Sequence, residues 1–458
     1  MSNSRKDDHL TLALQKYHQN LTFEQAVRFV HHGLPQCDVQ AVDSSVEVLH
    51  QKHSSPFFIN AMTGGSDSAF KINQQLAQVA EATGLAMATG SMSQALKDSM
   101  HAKSYEIIRS THPNGYLMAN LGPDYTVQQA QEAVHLIQAN ALQIHINAAQ
   151  ELVMPEGDRA FKQWLDRIEA IVHGVSVPVI VKEVGFGMSY QTIDLLNQIG
   201  VHTIDISGAG GTNFAQIENA RRRHHFQSNF NTWGIPTPLA LLEASRIPND
   251  RRPTIIASGG IQSPMDVVKA LAMGAQWVGI SGYWLKFIHE HGVEQTIEEV
   301  NVWKEEIKHI MTLLSACTVN DLLKTDLVFD EATVNWAKQR HLPYKQFATR
   351  FQYTKRHEHM TRVDAYLIPD EEVDQYINER QYYTRKLELE ARKVFPKVAI
   401  EFQGSEDGEA LVAYSSSGQF HYLLSLDPLR IRELKEADLN GTWYDYLKEI
   451  VGLDLQPL

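Results

Sequence analysis

Between residues 57 and 282 the chain repeats one unit eight times: a short apolar run that ends in small or polar residues, then a segment of helical periodicity. The runs are FFINAMTGG (57–65), LAMATG (85–90), YLMANLG (116–122), LQIHIN (142–147), VPVIVKEVG (177–185), HTIDISG (202–208), TIIASGG (254–260) and WVGISG (277–282). Near-continuous apolar runs read as strands buried on both faces. Alternation with helices implies parallel strands joined by right-handed crossovers. Eight units over roughly 230 residues fit a closed (β/α)8 TIM barrel, whose usual size is about 250 residues. An open doubly wound sheet is the rival, and the regularity of the repeats favours closure. The fold class expected is therefore α/β, with two additions flanking the barrel.

The first addition, residues 1–55, reads as a short tail and helical pieces (LTFEQAVRFVHHGL), ahead of a barrel placed at 56–345. Two or three helices in 294–345 would complete the outer ring. Residues 350–458 form the second addition, a small α+β domain, and 351–458 carries a net charge of −7 out of the chain's −13. In it KVAIEF, ALVAYS and FHYLLSL read as strands, while DEEVDQYINERQYYTRKLELEARKVF has helical i,i+4 charge pairs. HEH at 357–359 lacks metalloprotease spacing. An appended interaction or stabilising module, with a protein partner, is the favoured role for this domain.

Composition excludes several classes. The acidic balance of −13 argues against nucleic acid as a main partner, although a small phosphorylated ligand needs only a few local donors. No run of eighteen apolar residues is present to span a membrane, and MSNSRKDDHL has no apolar core for a signal peptide. Cys37 and Cys317 have neither metal-ligand nor redox-motif spacing, so reduced thiols and a cytoplasmic setting are the default expectation.

In a barrel of this kind the C-terminal strand ends build the active site. Here they carry Thr63, Gly64, Ser91, Asn120, Asn147, Lys182, Glu183, Ser207 and Ser281, which a mere scaffold would not need on one rim. ASGGI followed by GISG places Gly259, Gly260, Ser281 and Gly282 where backbone N–H groups cradle a phosphate at a helix N-terminus; tight turns alone are the bland alternative. The loop SGAGGT adds donors at Ser207 and Thr212. Lys182 leaves an apolar strand and needs a partner, in the core Glu183 or Asp205, or else a bound electron-rich ligand. QIHINAAQE gathers an imidazole, three amides and a carboxylate at one strand end, which suits an anion and a metal better than a solvated loop. RRRHH (221–225) reads as a solvated helix end, and Trp233 and Trp277 as core.

With RKDDH (5–9), AMTGG (61–65), ANLG (119–122), INAAQE (146–151), VKEVGFGMS (181–189), SGAGGTNFAQIENAR (207–221) and ASGGI (257–261), the chain resembles the type 2, FMN-dependent isopentenyl-diphosphate isomerases over about residues 1–345. The resemblance implies interconversion of isopentenyl and dimethylallyl diphosphate by a proton shift, with reduced FMN, Mg2+, NADPH as reductant, and a cytoplasmic homo-tetramer or homo-octamer. It places Gln150 and Lys182 in catalysis and Glu151 on the metal. Arg5, Lys6, His9, His145, Asn147 and Gln150 would meet substrate. Ala61, Met62, Thr63, Ser91, Asn120, Lys182, Ser207 and Thr212 would meet the flavin, with Gly259, Gly260, Ser281 and Gly282 around its phosphate. The chain departs from the pattern at Ser93 and Ala209, where many members are basic; Lys97 and Arg109 are the candidates to compensate. The alternatives are an FMN-dependent 2-hydroxy acid oxidase, which needs a His base and paired arginines near the later strands, and a barrel that binds without catalysing.

Overall fold

The computed structural model describes Leu12, residues 22–61, 64–222 and 227–352, and the backbone of three strands beyond residue 398. The chain divides into two compact units, 1–352 and 353–458. In the first, eight parallel strands close into a barrel: β4 (Phe57–Ile59), β5 (Met87–Ala88), β6 (Leu117–Leu121), β7 (Ala141–His145), β8 (Val179–Lys182), β9 (Thr203–Asp205), β10 (Thr254–Ser258) and β11 (Trp277–Ile280). Three strands precede them: β1 (Val27–Phe29), β2 (Val46–Val48) and β3 (Gln51–His53). Pairing of Val278 with Phe57 and Ile280 with Ile59 brings the last barrel strand against the first, so no edge remains.

Helices return the chain between strands. A short α1 (Phe23–Ala26) enters the barrel unit; α2 (Asp67–Thr83) follows β4, and α3 (Ser93–Lys97) and α4 (Lys103–Thr111) follow β5. Next come α5 (Val127–Leu136), α6 (Ala148–Val153), α7 (Trp164–Gly174), α8 (Tyr190–Gln198), α9 (Phe214–Arg221), α10 (Thr237–Ser245), α11 (Pro264–Ala272) and α12 (Gly282–Leu313). Their starts follow local chemistry. Ser66, Ser189 and Ser263 each accept a first-turn N–H, and Thr126 and Gln129 form a reciprocal capping box on α5. Gly84 ends α2 in the left-handed conformation, where a side chain would be strained.

The barrel interior has two zones. Its lower part is apolar: Phe58, Met118, Ile180, Ile256 and Trp277 cluster there with Val46 and Val48 of the β2–β3 hairpin. The Trp277 ring lies between His53 and Phe58, with centroids 4.2 Å from each. Its upper part holds Asn60, Asn120, Gln143, Asp205 and Ser258, all buried. Apolar packing thus anchors one end while polar groups are saved for the rim.

Three local expectations change. AVRFVH continues from α1 not as a helix but as β1, pairing antiparallel with β12 (Leu327–Phe329) ahead of α13 (Glu331–Arg340). Three residues, with Val27 and Phe29 apolar, meeting a partner strand override a helical period that short. Trp277 is core, but Trp233 is 60% exposed beside Phe230. Cys37 and Cys317 form a disulfide rather than two free thiols, because the segment after α12 returns to the N-terminal segment, where Asp43 N also donates to Cys317 O. In the second unit β13 (Ala399–Ser405), β14 (Gly408–Tyr414) and β15 (Phe420–Leu426) form an antiparallel sheet over the three expected strand segments. The helical stretch expected ahead of them, and HEH, lie outside the described residues.

The disulfide closes a loop across a separation of 280 residues, which restricts the unfolded chain. Cys37→Ser is expected to lower stability by about 2–4 kcal/mol under oxidising conditions. Thermal melts with and without reductant check this: the difference should vanish when both proteins are reduced.

Candidate active site

The strand ends surround a cleft of about 500 Å³. Ala61, Ser91, Asn120, His145, Asn147, Gln150, Glu151, Lys182, Ser207, Thr212, Gly259, Gly260, Ser281 and Gly282 all line it. Arg5, Lys6, His9, Met62 and Thr63 lie outside the described residues. Lys97 also lines the cleft, whereas Arg109 is spent on the carbonyls of Ile137, Gly115 and Gln138 and so does not supply the expected anion contact. Ser93 hydrogen-bonds Ser91 at 2.6 Å. Among the described lining residues there is no arginine, and His145 is the one histidine.

One wall is the short helix α6. Asn147, Gln150 and Glu151 fall on one face at i, i+3 and i+4, where side chains meet. Asn147 Nδ2 donates to Gln150 Oε1 at 3.2 Å and to Glu151 Oε1 at 2.9 Å. Glu151 Oε2 accepts from Asp158 N at 2.8 Å, so the carboxylate is held in place. Gln150 Nε2 donates to Oε1 of Glu218 at 3.0 Å. Glu218 is fully buried on α9 and ion-paired with Arg221, which also reaches Glu156 at 2.6 Å. Arg221 therefore supports the site rather than ending a solvated helix. Glu218 lies within a quoted motif, IENAR, but nothing in its neighbours marks it as the residue that fixes Gln150.

A second wall is built from backbone. A Cβ on Gly259 would fall 2.0 Å from Gly208 O, one on Gly260 2.9 Å from Gly210 C, and one on Gly211 2.8 Å from Gly260 N. The β9 and β10 loops thus interlock at a separation only glycine permits, with φ of 138° at Gly210, 91° at Gly259 and 74° at Gly260. Beside them α12 begins at Gly282 with no side-chain cap from Ser281. A helix end whose first N–H groups lack a side-chain acceptor, next to a glycine cradle, suits a phosphate.

Lys182 ends β8, and its Nζ donates to the Glu183 carbonyl oxygen at 2.5 Å rather than to a carboxylate. The Glu183 side chain turns the other way. Its Oε2 accepts from Val184, Gly185 and Phe186 N at 2.6, 2.8 and 2.5 Å, shaping the loop behind the rim. Burial nevertheless outweighs these donors and pushes the Glu183 carboxyl up to about 8.

An FMN-dependent dehydrogenase profile matches residues 109–329, which places this barrel in the flavin-dependent class. The chain is 44% identical over 338 residues to the isopentenyl-diphosphate delta-isomerase of Staphylococcus saprophyticus, covering 74% of this chain and 97% of that protein. It is 47% identical over 344 residues to the enzyme of the same name from Limosilactobacillus reuteri, with the same coverage of 74% and 97%. The chain belongs to the isopentenyl-diphosphate delta-isomerase family and is an FMN-dependent enzyme of that family. The C-terminal extension has no counterpart in these relatives. Among solved structures a mandelate oxidase superposes with a TM-score of 0.49 at 14% identity, covering 71% of this chain and 91% of its own.

Two outcomes test this geometry. Gly259→Ala sets a methyl group against the Gly208 carbonyl and should both lower the melting temperature and release flavin, read by absorbance after gel filtration. For Glu183 the sign is that of a raised acid: its stabilisation is present below the unfolded value near 4.5 and is lost as pH rises towards about 8. Glu183→Gln keeps an acceptor for the three N–H groups and cannot ionise. Denaturant unfolding should therefore show the wild type losing stability relative to the variant between those pH values, whereas a constant difference would remove the assignment.

Proposed function

We propose that this chain interconverts isopentenyl and dimethylallyl diphosphate with reduced FMN and Mg2+, NADPH serving as the reductant. The observation that carries the reading is the convergence, on one rim, of a glycine-only phosphate cradle with the Asn147–Gln150–Glu151 face of α6. Reduced FMN, when bound, supplies an electron-rich ring able to add and remove protons at an alkene carbon, a weak acid and weak base beyond the reach of ordinary side chains. Ala61, Ser91, Asn120, Ser207 and Thr212, with Met62 and Thr63, are assigned to its ring and ribityl chain, and Gly259, Gly260, Ser281 and Gly282 to its phosphate.

The cleft's own groups divide the remaining work. Lys182 presents positive charge to the reacting end of the cleft. Gln150, its amide set by Asn147 and Glu218, is assigned to orient the reacting carbon atoms. Glu151 is a single carboxylate beside amide donors; among the described residues no group of three metal-ligating side chains exists. That donor set fits magnesium, which keeps waters and binds through one or two carboxylates plus substrate phosphates. His145, Asn147 and Lys97, with Arg5, Lys6 and His9, are assigned to the diphosphate, so that binding of the inert end positions the reacting end. Lys97 takes the part left open by Ser93 and Ala209. The reading also carries a cytoplasmic homo-tetramer or homo-octamer, the division into 1–55, 56–345 and 350–458, and an interaction role for the last of these.

Anaerobic incubation with dithionite-reduced FMN, magnesium and isopentenyl diphosphate in D2O, followed by NMR, tests the proposal. Dimethylallyl diphosphate should form only with reduced flavin; an unchanged substrate over a flavin-loaded protein would overturn it. Glu151→Gln should keep bound flavin and lose about 100-fold or more in kcat/KM. Full activity in that variant would remove the metal assignment.

A further inference from the structure

The buried side chains of the barrel's upper layer form one directed hydrogen-bonded line. Asn60 Nδ2 donates to Asp205 Oδ2 at 2.8 Å, and Gln143 Nε2 donates to Asn60 Oδ1 at 3.0 Å. Asn120 Nδ2 donates to Gln143 Oε1 at 3.0 Å, and His145 Nδ1 lies 2.8 Å from Asn120 Oδ1. The two ends of a carboxamide have the same shape, so the direction must come from groups that cannot turn. Two such groups flank Asn60. The Asp205 carboxylate only accepts, and it also takes Ser258 Oγ at 2.6 Å and Ser207 N at 3.1 Å. The Ala61 N–H only donates, and it meets Asn60 Oδ1 at 2.8 Å. Asn60 is thereby fixed one way round, and each amide fixes the next. Asn120 must then turn its oxygen to His145, and that oxygen can only accept.

We infer that Gln143 is a positioning residue: the line Asp205–Asn60–Gln143–Asn120 fixes the proton of His145 on Nδ1 and turns that edge of the ring to Asn120. Whatever meets the Nε2 edge then meets a lone pair on the neutral ring and a proton only on the imidazolium. A diphosphate oxygen at that edge, which rests on the function proposed above, is met by the imidazolium. Among the described residues, the charged groups that share the cleft with this ring are Lys182 on β8, Lys97 on α3, Glu151 on α6 and Asp124 beyond β6. Gln143 is itself fully buried and does not line the cleft, so it reaches a ligand only through its neighbours, and the path to His145 runs through Asn120.

The test is histidine-selective 13C/15N NMR of the ligand-free protein above the pH at which the His145 ring becomes neutral, with its signal assigned by loss in His145→Asn. The unaltered protein should show the Nδ1–H tautomer, and an Nε2–H ring overturns the inference without any variant. Gln143→Met removes the group that holds Asn120, and the tautomer ratio should move by about tenfold towards Nε2–H, the equivalent of one hydrogen bond. Gln143→Glu, whose protonated carboxyl can both donate to Asn60 and accept from Asn120, should preserve Nδ1–H. Adding Asn120→Asp to Gln143→Met should restore it, since a carboxylate only accepts. An unchanged melting profile of the ligand-free protein shows that each variant is folded. A tautomer indifferent to Gln143→Met in a folded protein overturns the inference, and this readout stands apart from the isomerisation assay.

Discussion

Closure of the sheet between β11 and β4 is the constraint on which the site depends. A closed parallel barrel leaves no unpaired edge and sets eight strand ends in one ring, so residues more than 200 positions apart, such as Ala61 and Gly282, face one cleft. It also makes an interior too narrow for solvent, which must be filled by side chains. The filling is uneven. Trp277, Phe58 and Met118 supply apolar burial at the bottom, and the plug of β2 and β3 extends it. The upper layer can then afford amides and a carboxylate, provided that each is satisfied.

Satisfaction there is achieved by linking groups in series rather than in isolated pairs. Asp205, fully buried, is met by Asn60, Ser258 and a backbone N–H. On the α6 side Glu218 plays a comparable part, compensated by Arg221 and holding Gln150. Both carboxylates sit behind the cleft and fix amides that line it or lead to it. Precision at the rim therefore comes from charges placed one layer back, where water does not screen them.

Much of this was legible in the residues. Each of the eight runs overlaps a barrel strand, because strands buried on both faces leave a continuous apolar signal. The glycines of SGAGG and ASGG could be singled out because backbone contact tolerates nothing larger. Asn147, Gln150 and Glu151 stood out as polar groups packed into a few residues. Other parts were silent for equally physical reasons. AVRFVH has too few residues for a helical period to outweigh a partner strand. Trp233 carries the same composition signal as Trp277 yet lies at the surface. Gln143 and Asn60 look like any amide at a strand, and only their mutual distance gives them a role.

The sequence by itself determined the barrel, its closure and the chemistry gathered on one rim, because these follow from local periodicity, turn residues and the burial of each strand. Only the tertiary structure decided which groups meet across the barrel: Cys37 with Cys317, Gln150 with Glu218, and the line from Asp205 to His145. Such pairings join elements far apart along the chain. Their direction is set by donors and acceptors that come within 3 Å only after closure, and no local pattern records that distance.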